Sequence, residues 1–186
     1  RAEQALQLTR FSIENSSDAI YWMTAEGRIA DVNENACRVL GYTRDELVNS
    51  FVWESDPQWD AESWRNHFAE LRQRETLRFE GIQRHRDGQL IPVEIVANHL
   101  KFGEKEFNCA IVRDITARKQ VEDAVHASEE KYRTLIQKIQ AAVVVHESDT
   151  SISTANSMAQ ELLGLTEDQM LGKTAIDPDW HFFLDD

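Results

Sequence analysis

The chain resembles itself, and that constrains it more than any other feature. Displaced by 123 positions, Ile29 meets Ile152, Asn33 meets Asn156, Ala36 meets Ala159 and Leu40 meets Leu163. Gly41 then meets Gly164, Thr43 meets Thr166 and Asp45 meets Asp168. These are seven identities over seventeen ungapped positions, where even residue usage gives about one. The identities fall where backbone geometry is least forgiving. Asn33 and Asn156 suit the start of a short helix. Gly41 and Gly164 suit a left-handed stop. Thr43 to Glu46 and Thr166 to Gln169 read as capping boxes. Each unit therefore reads as strand, strand, short helix, glycine stop and short capped helix, so the chain must fold as two related units.

After Gly41 the first unit continues. Residues 60–74 read as a helix with Trp64, Phe68 and Leu71 on one face. Three strands follow. Leu77, Phe79, Gly81 and Gln83 share a face in the first. Asp87-Gly88 is a hairpin signal, and Val93, Ile95 and Ala97 alternate next, with Pro92 at the strand start. Gly103 marks another turn. A last strand is expected over 109–115, with Ala110 and Val112 inward. Such alternation describes an antiparallel sheet with one covered face. The second unit lacks counterparts of the long helix and the last three strands, which is the expectation for a piece of a longer protein.

Between the units, residues 116–139 contain neither Gly nor Pro. Val121, Val125, Ser128, Tyr132, Leu135 and Ile139 follow at steps of four and three, the spacing of a heptad seam. Two readings stand: an amphipathic helix covering a neighbouring domain, or a coiled coil joining two chains. Ala2 to Leu6 resembles Val121 to Val125, so each unit is expected to follow a helical lead-in.

Composition sets the function classes. With 20 Lys+Arg against 33 Asp+Glu the net charge is −13, which opposes binding to nucleic acid or an anionic membrane surface. No apolar run is long enough to span a bilayer and no signal segment opens the chain; the expectation is a soluble, cytoplasmic protein. Cys37 and Cys109 form no CxxC pair and read as small buried apolar residues. The seven glycines form no phosphate loop, the six histidines show no paired metal spacing, and His126 lacks a phosphoacceptor context. Neither catalysis nor a metal site is expected.

Several short motifs, in order, resemble the PAS sensory domain family: Asp18-Ala-Ile20, Glu26-Gly-Arg28-Ile29, Val32-Asn33 and Leu40-Gly41-Tyr42, followed by Thr43, Glu46 and Leu47. Further on stand Arg86-Asp-Gly88, Pro92 to Ile95, and Arg113-Asp114-Ile115-Thr116 with Arg118-Lys119. The match covers about 11–118 and, in part, 130–186. The resemblance implies an α+β fold: a five-stranded antiparallel sheet with helices on one face, then a long linker helix and a partial second unit. The corresponding division is a lead-in helix at 1–14, a first domain at 15–116, a linker at 117–139 and a second, partial domain at 140–186.

The same resemblance implies a pocket between sheet and helices. Alternation and family analogy assign its lining to Ile20, Trp22, Phe68, Phe79, Gln83, Val93, Ile95, Ala97, Ala110 and Val112. The alternative is that these residues are simply core, with Gln83 bonded to backbone. An unknown small ligand fits the first reading. Haem-binding members carry an axial His on the long helix, where His67 stands, but a partly exposed, unliganded His is the preferred reading. Ala36-Cys-Arg-Val-Leu40 looks like the reactive-thiol motif of flavin photosensors but lies in the wrong helix, so no flavin adduct is expected. Asp114, Ile115 and Thr116 mark the exit into the linker helix and are the candidates for signal transfer, with Asp114 capping the helix. The implied partners are a second copy through the linker and an output domain in the same chain. That output is a two-component histidine kinase first and a cyclic-di-GMP enzyme second. The rival is a ligand-free module for dimerisation or protein interaction.

Overall fold

The computed structural model describes residues 1–174, which form two compact units, residues 1–121 and those from 122 onward. The first begins with helix α1 (Ala2–Glu14), then strands β1 (Ala19–Thr24) and β2 (Ile29–Val32). Short helices α2 (Glu34–Leu40), α3 (Arg44–Leu47) and α4 (Val52–Ser55) and the longer α5 (Ala61–Arg74) follow. Strands β3 (Thr76–Arg84), β4 (Leu90–Phe102) and β5 (Lys105–Asp114) complete an antiparallel sheet of order β2-β1-β5-β4-β3. This is the expected α+β architecture. The last strand starts at Lys105 rather than Cys109, because Gly103 and Glu104 turn so tightly that pairing resumes at once, with Phe102 opposite Lys105.

Asn33 sets the geometry of the first half. It is fully buried. Its side-chain oxygen accepts from Ala36 N at 3.0 Å, capping α2, and from Ile20 N at 2.9 Å at the head of β1. Its amide donates to Ile13 O, at the end of α1, and to Asp18 O, both at 3.0 Å. One side chain thus satisfies backbone groups of three segments that would otherwise be orphaned. Helix α2 ends at Gly41, whose φ of 74° is left-handed and whose absent Cβ would lie 2.3 Å from the His85 ring. Thr43 and Glu46 form the expected capping box of α3. Asp60 caps α5, which lays Trp64, Phe68 and Leu71 inward.

The inner face of the sheet carries Gly81 and Gln83, then Ile91, Val93, Ile95 and Ala97, then Ala110 and Val112, all buried. Strand β1 corrects the expectation. Ala19, Tyr21 and Met23 are its inward residues, while Ile20 and Trp22 lie on the opposite face. Both alternating sets in this strand are apolar, so alternation alone could not choose between them. Pairing does: Tyr21 stands opposite Ala110 and Ala19 opposite Val112, and directly paired residues share a face. Cys37 and Cys109 are half-buried free thiols rather than fully buried ones.

Helix α6 (Thr116–Lys138) leaves the sheet directly after β5. In the second unit, β6 (Val144–His146) pairs with β7 (Ile152–Ala155), followed by α7 (Ser157–Leu163) and α8 (Glu167–Met170). Asn156 repeats every duty of Asn33: Val143 N and Ala159 N donate to it, and it donates to Ile136 O and Ala141 O. Gly164 and the Thr166–Gln169 box also match their counterparts. The contacts extend the 123-residue offset back into the lead-in helices, pairing Ile13 with Ile136 and Glu14 with Gln137. The likeness of Ala2–Leu6 to Val121–Val125 is therefore displaced by four residues. A slip of one helical turn preserves an apolar face and so looks like a match. Residues 175–186, expected to continue the second domain, lie outside the described residues.

Asn33→Ala removes one cap and leaves further buried backbone groups unpaired. It is expected to lower stability by about 3 kcal/mol or more, measured as the shift in urea-unfolding free energy.

Candidate functional site

A cavity of about 20 Å³ lies between α5 and the inner face of the sheet. That is room for about one water molecule, so any larger occupant must displace a wall. Strands β1, β3, β4 and β5 supply the floor; α5 and the segment joining α4 to α5 supply the roof. That segment is tied to β3 by Gln58, whose side-chain oxygen accepts from Ile82 N at 2.9 Å. The approach needs glycine beside it: a Cβ at Gly81 would lie 2.9 Å from the same oxygen.

Five polar side chains converge on this small space: Tyr21, Asp56, His67, Gln83 and Asn108. The Tyr21 hydroxyl donates to Gln83 Oε1 at 3.3 Å, so the partner of Gln83 is a phenol rather than backbone. Burial raises the Tyr21 pKa and keeps the hydroxyl protonated. Asp56 is 2% exposed. Its carboxylate accepts from Gln58 N at 3.2 Å and Trp59 Nε1 at 3.1 Å, and among the described residues no cationic side chain pairs with it. Burial pushes its carboxyl up to about 6.

His67 corrects a second expectation, for it is 8% exposed rather than partly solvated. Its ring lies 4.7 Å from that of Trp59, 5.4 Å from Trp64 and 5.5 Å from Phe79, centroid to centroid. The ring turned inward because Trp64, one turn earlier on the same helix face, draws that stripe into the core. Burial lowers its pKa, favouring the neutral form. Asn108 Nδ2 lies 3.2 Å from His67 Nε2. The Asn108 amide donates and the neutral ring nitrogen accepts. That leaves Asn108 Oδ1 buried without a hydrogen-bond partner.

Of the sequence-derived lining residues, Phe79, Gln83, Ile95, Ala110 and Val112 border the cavity. Phe68, Val93 and Ala97 are buried beside it as core. Ile20 and Trp22 face away, for the reason of strand phase given above. Sequence reasoning missed Tyr21, Asp56, Trp59 and Asn108. A signal existed for Asp56: an acidic residue followed by Pro57 and Trp59 is a poor match to a wholly solvated loop, since the indole N–H needs an acceptor once buried.

The exit from the sheet is closely held. Ile115 is buried and its N–H donates to Pro92 O at 3.0 Å. Asp114 Oδ1 accepts from Thr116 N at 2.7 Å, capping α6. Glu80 and Glu94 stand directly opposite on β3 and β4, a like-charge pairing that is unfavourable by itself. Arg118, in the first turn of α6, lies 2.6 Å from Glu80 and 3.6 Å from Glu94, and Lys119 lies 2.9 Å from Glu80. The helix thus supplies the cations that meet Glu80, while Glu94 also stands opposite Arg113 of β5.

Comparison with known proteins places this geometry. A family model described as PAS domain matches residues 17–117, and one described as PAS fold matches residues 130–181. The chain is 28% identical over 134 residues to a methyl sulfide methyltransferase-associated sensor of Methanosarcina acetivorans, covering 72% of this chain and 13% of that protein. It is 24% identical over 167 residues to sporulation kinase E of Bacillus subtilis, covering 88% of this chain and 22% of that protein. The chain thus spans less than a quarter of the length of these curated relatives. The PAS domain of an HTR-like protein from Haloarcula marismortui superimposes with a TM-score of 0.59 at 32% identity, over 62% of this chain and 95% of that one. No helix among the described residues is long and apolar enough to cross a membrane.

The Asp56 carboxyl is raised in the folded state from 3.8 to about 6, so its ionisation opposes folding above that range, and the penalty fades as pH falls through 6 toward 4. His67, with a lowered pKa, acts in the opposite sense and costs stability as pH falls below its ordinary range. Asp56→Asn isolates the first effect. Relative to wild type, it is expected to gain about 3 kcal/mol between about pH 4 and pH 8, measured by urea unfolding at the two pH values.

Proposed function

The chain belongs to the PAS domain family, and from that premise we propose that it is the sensory region of a longer signalling protein of a bacterium or archaeon. The first unit responds to a small ligand in its cavity. The response leaves through Asp114, Ile115 and Thr116 into α6. The output domain follows in the same polypeptide, and a two-component histidine kinase is the leading reading, supported by the likeness to a sporulation kinase. The fragment itself binds rather than catalyses, and its place is the cytoplasm.

The observation that carries this reading is the construction of the exit. The residue that ends the sheet also caps the helix, and the first turn of α6 neutralises Glu80 and Glu94. A shift of β3 against β4 cannot occur without altering those contacts. A packed element with discrete arrangements can relay such a shift.

Dimerisation through α6 is part of the proposal. No residue of the helix is buried, and Val121, Val125, Tyr132 and Leu135 expose their apolar side chains on one seam. Those side chains gain a partner in a parallel pair of helices. A ligand-free dimerisation module would share this seam but would not need five polar groups turned into a cavity.

Two outcomes test the proposal. Asp114→Ala is expected to cost only about 1 kcal/mol of stability, the worth of a cap, while uncoupling output from stimulus in the full-length protein; unchanged signalling would remove Asp114 from the path. Val125→Glu with Leu135→Glu is expected to convert a dimer to a monomer in sedimentation velocity, and a wild-type chain that sediments as a monomer at high concentration would end the dimer reading.

A further inference from the structure

The cavity walls also carry information about what they would hold. We infer that the cavity binds a small N–H-bearing cation, ammonium or a short alkylammonium ion, through the Asp56 carboxylate and the Asn108 side-chain oxygen. This rests on the reading of the cavity as the sensory site and adds the ligand class.

The unpartnered Asn108 oxygen calls for a donor. Asn108 is 1% exposed, its amide is engaged with His67, and Oδ1 has no partner. The Tyr21 hydroxyl donates to Gln83, not into open space. A buried acceptor without a donor costs free energy that a ligand N–H recovers.

Charge points the same way. Asp56 faces the cavity with only a backbone N–H and an indole N–H for partners. A buried carboxylate without a counter-charge is expensive, and an anionic ligand would make it worse. A neutral ligand satisfies Asn108 but leaves the charge uncompensated.

Walls and size complete the argument. Trp59, Trp64 and Phe79 border the cavity, and aromatic faces attract cations. The space of about 20 Å³ suits an occupant of the dimensions of water, which ammonium has. Methylammonium requires a further methyl group of room, so it is expected to bind less tightly than ammonium. The other titratable groups facing the cavity are Tyr21 from β1 and His67 from α5. Burial keeps both neutral near neutral pH, so neither competes for the carboxylate.

Thermal unfolding of the full chain tests this, with ammonium, methylammonium or tetramethylammonium chloride compared with sodium chloride at equal ionic strength. Ammonium or methylammonium is expected to raise Tm saturably, by about 3–6 °C at ten times Kd. Tetramethylammonium, which has no N–H, is expected to have no effect. Asp56→Asn is expected to abolish the rise. Should that variant fold poorly, wild type at about pH 5 provides the second readout. There Asp56 takes up a proton, and the concentration needed is expected to rise about tenfold relative to neutral pH. A rise equal to that in sodium chloride, or one indifferent to both Asp56→Asn and pH, would overturn the inference. A rise with formate or acetamide in place of the ammonium series would overturn it too, while leaving the cavity a sensory site. The Asp114→Ala test reads output in the full-length protein rather than ligand-dependent melting, and so fails or stands separately.

Discussion

One buried amide organises each unit. Asn33 is able to do so because its head group offers an acceptor and two donors within a single plane. A carboxylate would lack the donors, and a hydroxyl would lack the reach. The residue therefore joins a helix end, a strand start and a helix start at once. Asn156 does the same with different neighbours. The start of β1 and the start of α2 take their positions from this junction.

Much of this was legible in the sequence because the decisive residues sit at backbone exceptions. A cap, a left-handed glycine and a Thr-x-x-Glu box have chemistry that composition cannot blur. The strands from Thr76 to Asp114 were legible because polar and apolar residues alternate there. Strand β1 was not, since Ile20 and Trp22 are as apolar as Ala19, Tyr21 and Met23, and only the pairing with β5 chooses a face. Asn108 was hidden by the strand starting four residues earlier than expected. Asp56 was hidden because a loop has no period to violate. Arg10 with Arg133 and Ile13 with Ile136 also obey the 123-residue offset, so the true register of the lead-in helices is written in the sequence as well.

The cavity is where local rules are broken. A core of this size could be filled by apolar side chains at a gain in stability. It holds instead a carboxyl, an imidazole, a phenol and two amides. Burying them opposes folding unless each finds a partner, and Asn108 does not find all of its own. Such departures concentrate at functional sites. That the rest of the inner face is mainly Val, Ile and Ala, with Met23, Phe79 and Gly81, sharpens the contrast.

The facing glutamates at the sheet edge have an evolutionary consequence. Recombination that cut the gene after Asp114 would deliver a sheet whose outer surface carries Glu80 against Glu94, with Arg113 opposite Glu94 already bonded to Asp18 and neither Arg118 nor Lys119 to meet Glu80. A cut after Lys119 would deliver both cations with it. The heritable block thus ends inside the helix, not at the last strand, and any gene fusion that inherits the sheet inherits the first turn of whatever follows.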